Sequence, residues 1–215
     1  MLIIDQQDKN AVILATKALQ EGKIIIIPTD TIYGLAVDGS NPEAVERLYS
    51  LKKRDKNKPI AIFLPKLDFI TEIFELSNLG AKIAKNFLPG KITIVAKLRK
   101  SISKKIKIAN NLNKNNQEFL GFRIPHHNFV ERLNQTFKNV IAVSSANPSE
   151  MQVASNQEDI LRYFKNSTVE LAVIDKDINN HQSPSTIIKL EHNNCEILRE
   201  GAISKTEINN IVFKN

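Results

Sequence analysis

The sequence lacks several things at once, and each lack removes a class of protein. There is one cysteine, Cys195, in 215 residues, so no internal disulfide and no cysteine-built zinc cluster forms. Histidine occurs only four times, with no helical His-Glu-x-x-His, which argues against a zinc hydrolase or a histidine-based nucleophilic triad. No Gly-x-Ser-x-Gly is present, so the serine-hydrolase elbow is missing. No Gly-x-x-x-x-Gly-Lys-Ser/Thr is present either, so any nucleotide site here is not a P-loop. No stretch approaches the roughly 18 apolar residues of a spanning helix. The start, Met-Leu-Ile-Ile-Asp, carries no basic leader and no signal-type run. With a lone cysteine, this predicts a cytoplasmic protein without a membrane association.

What is present is ordinary in amount and specific in arrangement. Hydrophobic residues make up 42% and charged residues 25%, which suits a globular chain and excludes a disordered or collagenous one. Lys and Arg total 30 against 23 Asp and Glu, a net charge of +7. The surplus suggests an anionic partner: a phosphorylated small molecule, nucleic acid or an acidic membrane surface. Ala11, Leu14, Ala15, Ala18 and Leu19 recur with helical spacing, with Asp8 before them as a cap and Gly22 after. Ile24 to Ile27 then reads as a strand covered on both faces. Helices follow from Pro42 and over 67–77, 79–87, 127–138, 157–165 and 204–214. Strands are expected at 60–64, 91–98, 118–124, 140–144, 170–174, 185–190 and 195–199. Residues 100–117, rich in Lys, Asn and Ser, read as a surface excursion with a flexible tip around 110–116. The alternation predicts α/β: a single domain over 1–215, with a twisted mixed β-sheet and flanking helices.

The polar signals sit at strand and helix ends. Pro28-Thr29-Asp30-Thr31-Ile32-Tyr33-Gly34-Leu35 closes the isoleucine strand. Ligands gather at such ends in α/β sheets, although hydroxyls there also simply satisfy turn backbone. Lys52-Lys53-Arg54-Asp55-Lys56-Asn57-Lys58 offers a compact cation and a planar fork to phosphate oxygens; the plainer reading is a solvated helix C-terminus. Ser144-Ser145-Ala146-Asn147-Pro148 follows an apolar run and holds phosphate, a carbonyl or a metal-bound water, or is only a turn. Arg123 stands near a strand end, and His126 and His127 after it read as surface residues rather than metal ligands. Ser185 and Thr186 open a strand; Arg199 ends the last one and pairs with a carboxylate or a ligand. Cys195 reads as a small buried side chain.

In this order the segments resemble the threonylcarbamoyl-AMP synthase family and its YrdC-like fold. The series is Pro-Thr-Asp-Thr-Ile-Tyr-Gly-Leu, Lys-x-Arg at Lys52 and Arg54, Pro89-Gly90, Arg-Ile-Pro-x-His from Arg123, Ser145-Ala-Asn147, Ser185-Thr-Ile-Ile and Leu-Arg199-x-Gly201. The resemblance implies an open basic cavity in which L-threonine, bicarbonate and ATP become threonylcarbamoyl-adenylate and pyrophosphate. It implies that threonylcarbamoyl-transfer proteins then carry the group to tRNA. It implies that Thr31, Tyr33, Arg123 and Ser185 meet threonine, that Lys52, Arg54, Lys58, Ser145 and Arg199 meet ATP, and that Lys52, Arg54, Ser145 and Asn147 serve the reaction. Mg²⁺ is then bridged by ATP, with no protein side chain assigned to it.

The chain departs from the family pattern at Asp55 after Arg54, at Phe63 where some members have histidine, at Glu150 and Val153 after Ser145-Ala-Asn147, and at Lys189. Two other readings compete. One is an RNA-binding module with a basic concave surface, no ATP turnover and weak tRNA attraction; it lacks interleaved aromatics. The other is a carbamoyl-adenylate enzyme of hydrogenase maturation, whose additional domains do not fit in 215 residues.

Overall fold

The computed structural model describes residues 1–55, 59–102, 106–112, 118–148, 151–178 and 183–213. In chain order its elements are β1 (Leu2–Asp5), α1 (Ala11–Gln20), β2 (Ile24–Ile27), β3 (Gly34–Asp38), α2 (Pro42–Lys52), β4 (Ala61–Phe63), α3 (Asp68–Ile73), β5 (Phe74–Glu75) and α4 (Asn78–Phe87). Then come β6 (Ile92–Leu98), β7 (Phe119–Arg123), α5 (Asn128–Thr136), β8 (Ile141–Ser145), α6 (Gln157–Phe164), β9 (Val169–Ile174), β10 (Thr186–Glu191), β11 (Asn194–Arg199) and α7 (Lys205–Val212). Among the described residues one eleven-stranded sheet runs β1-β9-β2-β3-β8-β4-β7-β6-β10-β11, with β5 added on β6. Pairing is mixed: β1, β9 and β2 are parallel, while β3 lies antiparallel to both β2 and β8.

The isoleucine run explains why the sheet is covered on both faces. Successive side chains on a strand point to opposite faces. Ile24 and Ile26 enter one core cluster with Leu35, Leu48 and Phe122, and Ile25 and Ile27 enter another with Ala15, Leu19, Phe129 and Leu133. The apolar stripe of α1 therefore meets the stripe of α5 on the second face. Burying one isoleucine fully is worth about 1.5–3 kcal/mol, so β2 anchors the two layers beneath the polar loop that follows it.

Several local expectations change. Leu2–Asp5 is an edge strand, paired in register with Leu171–Ile174, although four residues gave too short a pattern to read. The turn after β2 stops at Gly34, which opens a further strand: Gly34 faces Ile27 on one side and Ser145 on the other. A Cβ at Gly34 would lie 2.6 Å from Val143 Cγ1, so glycine lets these strands close up. The helix expected over 67–77 ends at Ile73, because Phe74 leaves it to pair with Leu98 and stack against Phe122 at 4.4 Å between ring centroids. Asp8 accepts the Asn10 N–H (2.7 Å) rather than capping α1 itself.

The excursion is partly anchored. Ala109 and Leu112 are buried, and Asn111 donates to the Pro42 carbonyl (2.7 Å). Its first tip residues are therefore packed rather than flexible; 113–117 lie outside the described residues. Cys195 is only half-buried on the edge strand β11, because an edge strand has a neighbour on one side only. No helix among the described residues is long and apolar enough to cross a membrane.

Candidate active site

A cavity of about 180 Å³ opens where the β2–β3 turn faces β4, β6, β7, β8 and β10. Thr31, Tyr33, Arg54, Arg123, Ser145, Ser185 and Arg199 all line it. Residues up to 168 positions apart in sequence thus share one wall. Lys52 and Asn147 stand behind Ser145 and are bonded to it. Lys58 lies outside the described residues, as does Glu150.

At one end, the Arg123 guanidinium is held in three directions. It donates to Asp30 Oδ1 (2.6 Å), to Thr31 Oγ1 (2.7 Å) and to the Gly90 carbonyl (3.0 Å). Arg123 and Asp30 are both nearly fully buried. Burial lowers the Arg123 pKa and the carboxylate of Asp30 opposes that shift; arginine nevertheless stays charged at any working pH. The loop is fixed from within, since Thr29 Oγ1 accepts the N–H groups of Thr31 (3.1 Å) and Ile32 (3.2 Å) and donates to the Ile32 carbonyl (2.7 Å). Ser185 Oγ lies 2.8 Å from Thr93 Oγ1, and Arg199 donates to the Ser185 carbonyl (2.7 Å). Gly201 makes that approach feasible: a Cβ there would fall 2.2 Å from the Pro184 carbonyl oxygen.

Tyr33 contributes its ring to the wall, but its hydroxyl points elsewhere. That hydroxyl donates to the Asp175 carbonyl (2.9 Å) and accepts the Asp175 N–H (3.0 Å). Burial pushes its pKa up to about 12, so it stays protonated.

At the other end, α2 closes on Lys52 and the next residue, Lys53, turns left-handed at φ 48°. A left-handed residue commonly ends a helix, and here it separates Lys52, bonded behind Ser145, from Arg54, which lines the cavity. Lys52 Nζ donates to the Ser145 carbonyl (2.6 Å), to Asn147 Oδ1 (2.8 Å) and to Ser145 Oγ (3.2 Å). Ser145 Oγ donates to Asn147 Oδ1 (2.7 Å), and Asn147 Nδ2 donates to the Met151 carbonyl (2.5 Å). Lys52 is 4% exposed. Burial, with the nearby Arg54 charge, pushes its pKa down to about 8. Arg54 donates to the Pro59 carbonyl (3.1 Å), and burial lowers its pKa too.

Several residues of the site were not singled out from sequence. Thr93 lines the cavity; the alternation of β6 puts it on the face opposite Ile92 and Ile94, and that polar face was the available signal. Asp175, just past the strand expected at 170–174, is a buried carboxylate at the end of β9. His127, expected at the surface, is largely covered against it: Nε2 lies 3.1 Å from Asp175 Oδ2, while His126 does stay exposed. Phe63 supplies an apolar wall.

The match to known proteins follows this layout. Residues 17–201 match the model of the Sua5/YciO/YrdC family, described as telomere recombination. The chain belongs to that family. It is 29% identical over 199 residues to a protein of Methanocaldococcus jannaschii named putative threonylcarbamoyl-AMP synthase, covering 93% of this chain and 89% of that one. It is 29% identical over 183 residues to the Bos taurus threonylcarbamoyl-AMP synthase, covering 82% of this chain but 62% of the bovine one. The fold is shared with P. abyssi Sua5 complexed with L-threonine: TM-score 0.86, 21% identity, 99% of this chain and 60% of that one. The Pro-Thr-Asp-Thr, Lys-x-Arg, Ser-x-Asn and Ser-Thr-Ile-Ile segments of this chain each place at least one residue in the cavity wall.

Proposed function

We propose that the protein is a threonylcarbamoyl-AMP synthase, a nucleotidyltransferase formed by one YrdC-like domain over 1–215, that makes L-threonylcarbamoyladenylate and pyrophosphate from L-threonine, bicarbonate and ATP. The observation that carries this reading is the pairing of two unlike ends in one cavity. The Arg123 end offers a buried guanidinium and the hydroxyls of Thr31, Thr93 and Ser185. The Lys52 end clusters a lysine, Ser145 and Asn147 beside Arg54. An amino acid needs the first set and a polyphosphate the second.

The chemistry asks for positioning rather than a covalent nucleophile. The threonine amine attacks bicarbonate, losing water, to give a carbamate; a carbamate oxygen then attacks the α-phosphorus of ATP and expels pyrophosphate. Arg123 pairs with the threonine carboxylate, Ser185 and Thr31 orient the amino acid, and the Tyr33 ring packs against it. Lys52 and Arg54 offset the charge that grows on the phosphates. Ser145 and Asn147, fixed by Lys52, hold the reacting groups in line. Arg199 and Lys58 complete the ATP contacts. Ser145 Oγ and Asn147 Oδ1 already bond an ammonium, a poor setting for a protein-held cation, so Mg²⁺ would enter as the counter-ion of ATP. The product then passes to threonylcarbamoyl-transfer proteins for tRNA modification in the cytoplasm, with tRNA itself bound weakly through the remaining surface lysines.

The test is direct. Purified protein with ATP and Mg²⁺ should release pyrophosphate only when threonine and bicarbonate are both supplied. Release that is indifferent to either one, or salt-sensitive RNA binding with no ATP turnover, would overturn the reading.

A further inference from the structure

The His127–Asp175 pair belongs to none of the substrate contacts, yet it is buried beside them. His127 is 11% exposed and Asp175 9% in their side chains. An ionised carboxylate only accepts, so the bonded His127 Nε2 carries a proton. The Asp175 peptide is in turn locked to Tyr33 by the two hydrogen bonds of the tyrosine hydroxyl. Two residues before Tyr33, Thr31 Oγ1 receives the Arg123 Nη1 hydrogen bond. Arg123 precedes His127 by four residues, and Pro125 stiffens the link between them. The contacts therefore close a ring: Arg123 to Thr31, along the loop to Tyr33, across to Asp175, on to His127, and back through the chain to Arg123. The ring ties the end of β7 to the neighbouring ends of β9 and β2, which are already paired in the sheet.

We propose that His127 is a positioning residue, whose bond to Asp175 fixes Arg123 relative to Thr31 and so sets the geometry of the amino-acid end without touching the substrate. This rests on the synthase reading above. The ring meets the other end at one backbone bond, from the Ala146 N–H to the Tyr33 carbonyl (2.9 Å), which the β3–β8 pairing holds independently of His127; the side chains of Lys52, Ser145 and Asn147 are held by their own bonds. Opening it should therefore weaken threonine binding and leave ATP binding alone, a split that general loosening of the fold does not produce.

The experiment compares His127→Ala, His127→Gln, Asp175→Ala and the Ala–Ala double variant. KM is measured for threonine and for ATP, and threonine binding is measured separately by calorimetry. His127→Ala should raise the threonine KM and Kd about tenfold, the scale of a small misplacement of a binding group. The ATP KM should move by less than about twofold. His127→Gln, whose amide N–H reaches where Nε2–H does, should recover most of the loss. The double variant should be no worse than the worse single one, as expected of residues acting as a unit. Equal rises in both KM values, an unchanged threonine KM, failure of glutamine to rescue, or additive losses would each overturn the proposal. If His127→Ala does not fold, Asp175→Ala gives the same comparison, since it keeps the peptide bonds to Tyr33. If the wild type binds threonine but releases no pyrophosphate, the synthase reading fails, and the calorimetric Kd values still decide the role of His127.

Discussion

The two ends of the cavity solve the problem of a buried cation in opposite ways. Arg123 has a carboxylate against it, 2.6 Å away at Asp30. Lys52 is set among the neutral oxygens of Ser145 and Asn147, with a second cation, Arg54, nearby. The first arrangement is close to neutral and rigid, which suits a zwitterionic amino acid. The second gathers two cations at one end and lowers the proton affinity of its lysine, which suits a polyanion. Removing Lys52 should therefore have the largest effect in the molecule. Lys52→Ala is expected to cut turnover by about 10²–10³, the usual loss for one preorganised transition-state group. Steady-state pyrophosphate release checks the rate, and calorimetry should find threonine affinity unchanged. A parallel loss of threonine affinity would mean that the two ends are not separate devices.

The Arg123 end breaks in another way. Asp30→Ala leaves a guanidinium 5% exposed and without its carboxylate. Removing one member of a buried ion pair typically costs about 3–5 kcal/mol, because the remaining charge is stranded. Urea unfolding should show that loss. A cost under about 1 kcal/mol, the value of an exposed pair, would show that the charge balance assigned to this end is wrong.

The contrast sharpens with pH. Lys52 in the free protein loses its proton through about pH 8, whereas Arg123 does not titrate in any working range. The value of kcat/KM for ATP should thus fall above about pH 8, approaching tenfold per pH unit, while Arg123 adds no break of its own to the profile. The stability sign runs the other way. Between about 8 and the ordinary 10.5 of lysine, the unfolded chain binds a proton that the folded chain lacks, so the Lys52 contribution to stability rises with pH. Loss of the Lys52 proton therefore does not itself unfold the protein in that window, and thermal melts across the same pH range separate lost activity from unfolding.

What could be read from sequence follows the range of the interactions. The β2 run and the α1 stripe are local periodicities, and both stand in the structure. Thr31, Tyr33, Arg54, Arg123, Ser145, Ser185 and Arg199 stand out in the sequence because each sits at or near an element end in a recognisable series. That they share one cavity comes from the strand order, in which β3 and β8 sit side by side and β6 meets β10, and no local pattern encodes it. His127, expected at the surface, and Asp175, which stands out in no local pattern, escape for the same reason. Each looks like a loop polar residue until β9 is placed beside β2. Short strands such as β1 and β5 escaped because two to four residues carry too little alternation to register.

Thr93 gives the smallest expected effect and tests the finest part of the comparison. Its hydroxyl and that of Ser185 are both buried in the cavity wall, 2.8 Å apart. In such a pair one O–H is spent between the partners, leaving one donor and several lone pairs to face a ligand. Thr93→Val keeps the shape and removes the partner, so Ser185 keeps its place on β10 but loses the hydroxyl that orients it. A neutral hydrogen bond is worth about 1 kcal/mol, so the threonine KM should rise about fivefold. The ATP KM and the pH profile should not move, because neither hydroxyl bonds to the Lys52 cluster. An unchanged threonine KM would mean that Ser185 is held by the Arg199 bond to its carbonyl alone. A raised ATP KM would mean that the wall of β6 serves both ends, and the division drawn between them would have to move toward Arg199.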